Sequence, residues 1–272
     1  MSHILFREKD HSYIDVQTGE KLLSMTTFVA EFKQNVDWEE KAKAYLLKRG
    51  TEKAIKDLAT KQKKTTQEIE ECIAGRELTH EIILEFWENN KNRAASEGTA
   101  EHAVRENKWK ELEDAGHAVY TNMLVNGEKY SKDLSNLPVG VHSELIIYHP
   151  DYKIVGQSDE PILFSNRVLD INDYKTNDKL DFKSFYNYHT GYQMMVEPIN
   201  HIHDCNVMHY ALQLSGYAYL MECHGYTIRD LTIEHTKDGN KKHKLPYLRD
   251  EIIVMLNHKC NKQTEFSIDD WI

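Results

Sequence analysis

The stretch "VHSELIIYHPDYKIVGQSDEPILFSNRVLDINDYK", residues 141–175, decides how this chain is read. Apolar and polar residues alternate along it with a period of two. "PDY" and "SNR" interrupt the pattern, so it predicts a meander of three antiparallel strands. The last strand raises a problem. Side chains alternate faces, so Asp173 and Lys175 share a face with Leu169 and Ile171. A face that starts apolar and ends in a carboxylate beside an ammonium must pair those charges or offer them to a ligand, because burying them alone is costly. Glu144 falls on the first strand and Asp159 on the second. On adjacent antiparallel strands, Asp159 and Asp173 repel each other unless a divalent cation lies between them. Hard oxygen donors favour Mg²⁺ or Mn²⁺ over zinc. Lys175 beside such a cation suits the orientation of a water or the stabilisation of phosphoryl charge. The tripeptide D-x-K is common, and by itself a surface ion pair explains it as well.

Outward from this stretch, residues 3–23 predict a β-hairpin turning at "QTGE". "SMTTFVAEF" (24–32) carries a strand end into a helix, with Ser24, Thr26 or Thr27 as cap. Amides at such a start can also hold phosphate. Residues 38–108 are helical by period. "TTQEIEECIAG" opens with a Thr65…Glu68 capping box and stops at Gly75, and Ile82, Ile83, Phe86 and Trp87 recur at core spacing. The lysines between 41 and 64, "KQKK" among them, fit a solvated face or a grip on a substrate backbone. Beyond the meander, 178–206 is irregular and rich in aromatics. "VMHYALQLSGYAYLMECHG" is a helix ending at Gly225. "IRDLTIEHT" is a strand, "KDGNKKHK" a basic turn and "LRDEIIVMLNHKCNK" a closing helix.

Composition narrows the class. The chain has 272 residues, 40% apolar and 29% charged, as expected of a soluble globular protein. No apolar run is long enough for a transmembrane helix, and "MSHILFREKDHSY" lacks the features of a signal peptide. Cys72, Cys205, Cys223 and Cys260 are widely spaced, which argues against a zinc ribbon and for reduced thiols in a cytoplasmic compartment. A net charge of −10 disfavours non-specific wrapping of duplex DNA, but not an enzyme that holds cations among carboxylates.

Further motifs join the acidic residues. "GTAEH" puts His102 on the helix before the meander, four residues after Gly98. "GQSD" sets a glycine three residues before Asp159. "QLSGY" sets Gln213 and Tyr217 at i and i+4 on one helix face. G-T-x-x-H, a strand Glu, G-x-x-D, D-Y-K-T and Q-x-x-x-Y, in that order, resemble the RecB-like branch of the PD-(D/E)XK nuclease superfamily. The likeness is to its stand-alone members: mitochondrial genome-maintenance exonucleases, Cas4-like proteins and phage exonucleases.

The resemblance implies an α/β fold: a mixed β-sheet flanked by helices, with a helical insertion at 38–95. The whole chain, 1–272, would be one nuclease domain, with a hairpin and short helix in 1–37 and the catalytic core in 96–272. The insertion is expected to arch over the active site and admit a single strand. His102, Asp159 and Asp173 would ligate Mg²⁺ or Mn²⁺, with the backbone carbonyl of Tyr174. Lys175 would be the catalytic lysine, and Glu144 an outer or second-metal carboxylate. Gln213 and Tyr217 would hold substrate or steady the site; Thr176 and Gly98 would serve geometry. Ser158 stands where the family motif has proline. The dispersed cysteines imply no iron–sulfur cluster.

The implied activity is metal-dependent hydrolysis of DNA, single-stranded or with free ends, in replication, repair or recombination, in the cytoplasm of a bacterial or phage-infected cell. The alternatives are a catalytically silent DNA-binding or recombination accessory protein and an RNA-directed nuclease. "HIHD" (201–204) offers a zinc reading but lacks a second aspartate–histidine step. The rings of "FKSFYNYHTGY" (182–192) suit either stacking on unpaired bases or the filling of an apolar groove.

Overall fold

The computed structural model describes residues 4–73 and 77–269, with side chains as far as Cys260. The expected helix stop at Gly75 lies outside these residues. The chain divides into two compact units: residues 1–34 with 102–272, and residues 35–101.

In chain order, the first unit begins with β1 (Ile4–Arg7), β2 (Ser12–Asp15), β3 (Lys21–Ser24) and α1 (Met25–Ala30). The expected single hairpin is therefore two. "QTGE" closes the second, with Gly19 at φ 72°. The first turns at Glu8–His11, where His11 takes a φ of 48° without a glycine to mark it. The second unit holds α2 (Trp38–Arg49), α3 (Thr51–Gln62), α4 (Thr66–Ile73) and the start of α5 (His80–Asp114). Its core is Ala42, Leu58, Ile69, Ile83 and their neighbours. The capping box forms as read: Glu68 Oε2 accepts from Thr65 N at 2.7 Å, and Thr65 Oγ1 accepts from Glu68 N at 3.2 Å.

From His102 onward α5 belongs to the first unit. Short strands follow: β4 (Val119–Tyr120), β5 (Met123–Val125) and β6 (Glu128–Tyr130). The 141–175 stretch then forms β7 (Gly140–His142), β8 (Leu145–His149), β9 (Ile154–Ser158), β10 (Ile162–Leu163) and β11 (Val168–Lys175). The simple meander is corrected here. Each of its first two strands is broken in two, and the halves join different sheets. β8 and β9 close a seven-stranded sheet, ordered β5-β6-β1-β2-β3-β9-β8; β7 and β10 belong to a six-stranded one. The hairpin persists across the bend, since His142 N donates to Pro161 O and Glu144 N to Asp159 O. The break has two causes. Glu144 adopts φ 56°, a left-handed conformation that turns the strand. Pro161 cannot donate to a ladder.

The chain continues through a small hairpin, β12 (Tyr186–Asn187) and β13 (Gly191–Tyr192), within the segment expected to be irregular. Then come α6 (Asn206–Cys223), β14 (Thr227–His235), β15 (Lys241–Leu245) and α7 (Arg249–Asp269). Half of the expected basic turn is thus strand β15. The six-stranded sheet runs β15-β14-β11-β10-β7-β4. β11 and β14 are parallel, a pairing that needs a long crossover, and α6 supplies it. α6 is buried on most of its sides, and Leu212, Leu214, Leu220 and Met221 pack into a core shared with β8, β9 and β11. The fold is mixed α/β, with curled mixed sheets flanked by helices. Among the described residues no helix is long and apolar enough to cross a membrane.

Candidate metal centre

Asp159 does not lie on a strand, as expected, but in the link just past β9, and this link is laced onto β11. Ser158 Oγ and Glu160 N both donate to Asn172 O, at 3.3 and 3.0 Å. Asp159 Oδ2 accepts from Tyr174 N at 2.6 Å, and Asp159 N donates to Asp173 Oδ1 at 3.4 Å. Asp159 replaces a ladder partner that the bend removes, so its carboxylate is fixed by the backbone of the strand carrying Asp173 and Lys175. The question of two charges on one face is answered locally: Lys175 Nζ is bonded to Asp173 Oδ2, with Asp173 buried and Lys175 half-buried. Asp170 serves the fold instead, accepting two bonds from Arg229.

Two more groups converge. The bend at Glu144 turns its carboxylate toward Asp159, where Gln157 Nε2 donates to Glu144 Oε2 and Asn122 Nδ2 holds Glu144 O. From α5, His102 Nδ1 lies 3.3 Å from Asp159 Oδ1 and 3.5 Å from Glu144 Oε1. Ligand atoms of His102, Glu144 and Asp159 all fall within 4.8 Å of one another. Glu144, expected as an outer or second-metal carboxylate, lies directly beside His102 and Asp159. Asp173 adjoins it through Asp159 N and Lys175.

The electrostatics follow from burial. Asp159 and Asp173 are 5% and 2% exposed. Burial, and then the charge of Asp159, push the Asp173 carboxyl up to about 7. Burial raises Asp159 too, against the opposing hydrogen bond from His102. Hydrogen bonds to Asp159 and Glu144 raise His102 to about 10, so its imidazolium sits between the two carboxylates. Burial alone would lower the Lys175 ammonium; the charges of Asp173 and Asp159 outweigh it and hold it above its ordinary value. With Glu144, Asp159 and Asp173 all ionised, three carboxylates would face two cations, one negative charge in excess. A dication with a neutral imidazole would bring the group to electroneutrality. The donor set of carboxylates and one imidazole therefore fits a hard divalent ion.

Residues without a sequence signal hold these groups in place. Arg105, one turn along α5, donates to Glu234 Oε1 on β14 at 3.0 Å and stacks its guanidinium 3.9 Å from the Tyr174 ring. Glu106 accepts from the buried Lys129 Nζ at 2.8 Å. Together they set α5, and so His102, against the sheets. Tyr210 places its ring 4.6 Å from Lys175 Nζ. Gln213 Nε2 donates to the hydroxyl of buried Tyr217 at 2.8 Å, and that ring packs on Gly156. Ser24 is used as a cap: its hydroxyl accepts from Thr27 N at 3.0 Å and contacts Thr27 Oγ1. Thr26 is exposed and Thr176 half-buried just beyond β11; neither they nor Ser24 hydrogen-bond to the cluster among the described residues. Gly98 lies within α5. The "HIHD" residues are engaged in structure: Asp204 accepts from His209, Gln193 and Gln34, and His203 pairs with Ser184.

No family model, no curated protein and no solved structure matches this chain.

Proposed function

We propose that this chain is a divalent-cation-dependent nuclease of the PD-(D/E)XK type that hydrolyses phosphodiester bonds of DNA, single-stranded or with free ends. One observation carries the reading. Buried Asp159 and Asp173, half-buried Glu144 and the helix histidine His102 meet beside half-buried Lys175, a concentration of charge that costs folding energy. Among the described residues His102, Glu144 and Asp159 would hold the ion, with Asp173 next to them. A bound Mg²⁺ or Mn²⁺ supplies Lewis acidity toward a phosphoryl oxygen and neutralises charge that develops there. His102 gives up its proton to serve as a ligand, so loading is favoured as pH rises. Lys175 stays protonated at neutral pH and is held in one direction by Asp173 and Tyr210. Its ammonium stabilises the negative charge of the phosphoryl group in the transition state. Gln213 and Tyr217 steady β9 from beneath through Gly156.

The test is to incubate labelled single-stranded DNA with the full chain and Mn²⁺. Shortening that EDTA stops, and that Lys175→Met reduces by about 10²–10⁴-fold while the protein stays folded, supports the reading. A mobility shift without shortening would point to a silent binder, and preferential cleavage of RNA oligonucleotides to the RNA-directed alternative.

A further inference from the structure

The hairpin β12–β13 exposes large aromatic rings that belong to neither hydrophobic core. Phe185 is 72% and Tyr188 88% exposed, and Phe182, Tyr186 and Tyr192 are also open to solvent. The groove-filling explanation is thereby removed. Exposed rings in this density are unfavourable in water, so a patch of them marks a contact surface.

The backbone beneath them is well fixed. Gln193 N donates to Phe185 O at 2.9 Å, Asp204 N to Gln193 O at 3.0 Å, and Ser184 Oγ meets His203 Nδ1 at 2.9 Å. The Tyr186 and Tyr192 rings meet edge to face at 4.9 Å, and Tyr192 rests edge-on against His203. One cation stands among the rings: Lys183 Nζ lies 5.9 Å from the Tyr192 ring, where it suits a phosphate of a DNA strand, whereas Lys179 is paired with Asp181 at 2.6 Å. The segment also starts at the site. It leaves β11 just after Lys175, with Asn177 tied to both Tyr210 and His235.

We infer that this hairpin is a stacking platform for unpaired bases of single-stranded DNA, with Phe185 and Tyr188 as its principal rings. Every base offers a π-face, so the platform is tolerant of sequence. Paired bases are already stacked in a duplex and cannot use it. The inference rests on the DNA assignment above and deepens it, by supplying strand preference that the acidic cluster cannot.

The test measures binding of a labelled 15-mer oligo(dT), a 15-base-pair duplex and oligo(rU) by fluorescence anisotropy, in EDTA so that nothing is cleaved. The full-length wild type, F185A/Y188A and F185W are compared. The account expects the single strand to bind more tightly than the duplex. F185A/Y188A should weaken the single strand about tenfold or more, leave duplex affinity and Tm unchanged, and F185W should retain wild-type affinity. The inference is overturned if the wild type does not bind oligo(dT), if F185A/Y188A binds it within twofold of wild type, or if oligo(rU) binds more tightly. Mn²⁺-dependent cleavage is assayed separately. Cleavage with an unaffected F185A/Y188A would remove the platform and leave the nuclease. Hairpin-dependent binding without cleavage would remove the nuclease and leave the platform.

Discussion

Replacing Gly156 by alanine tests how the fold supports the site. A Cβ on Gly156 would sit 2.3 Å from Tyr217 Cε1 and 2.9 Å from both Cζ and the hydroxyl oxygen. Carbons at rest are about 3.5–4.0 Å apart, so more than about 1 Å must be found. Neither side yields easily. Gly156 lies in β9 opposite Ile147, and Tyr217 is buried in α6 with its hydroxyl bonded to Gln213. Overpacking of this kind costs about 1–3 kcal/mol. Loss of the Gln213–Tyr217 bond adds about 1 kcal/mol. Gly156→Ala should therefore lower the unfolding free energy by roughly 2–4 kcal/mol in urea titrations, with an unchanged m-value. The clash belongs to the ring, so the same substitution in a Tyr217→Leu background should cost close to nothing. A Gly156→Ala protein within about 0.5 kcal/mol of wild type, or an equal cost in both backgrounds, refutes the packing argument.

Other outcomes follow from single contacts. His142 is buried and held down to about 4 by desolvation; its Nε2 bonds to Pro138 O, while among the described residues Nδ1 has no hydrogen-bond partner. The unfolded chain takes up that proton near 6.5, so stability should rise between about pH 4 and 6.5. A gap of roughly 2.5 pH units at about 1.4 kcal/mol each sets a ceiling of roughly 3 kcal/mol. The difference in urea stability between wild type and His142→Phe should show this slope, and a pH-independent difference contradicts it. Arg105→Leu should weaken Mn²⁺ affinity by about 10–100-fold through loosened His102; an unchanged affinity in calorimetry would show that Arg105 does not position the site.

Much of the scaffold was legible because its signals are local. β11, α6, β14 and the α4 capping box all follow from period and caps over a few residues. The doubled first hairpin and the split strands were not, because they depend on positive φ at His11 and Glu144, residues with no glycine signature. Two cues were present in the sequence. Pro161 inside a presumed strand marks the bend. "NG" at 126–127, between "MLV" and "EKY", marks the β5–β6 hairpin, with both residues at positive φ. Part of the candidate site was visible as motifs: His102, Asp159, Asp173 and Lys175 stand in motifs whose order resembles the nuclease superfamily. The inward turn of Glu144 and the braces of Arg105 and Lys129 were not, since they arise only when α5 meets the sheets. The aromatic segment shows the limit most clearly. Its composition fits a packed groove as well as an open surface, and only the burial of each ring separates the two.

The account depends on a hard dication held by groups from both strand bends and α5. Isothermal titration of Mn²⁺ into the wild type and Asp159→Asn measures this directly. The account predicts saturable binding to the wild type, with proton release as His102 loses its proton, and loss of that binding in the variant. No binding by the wild type at millimolar Mn²⁺, or equal binding by both proteins, would contradict it.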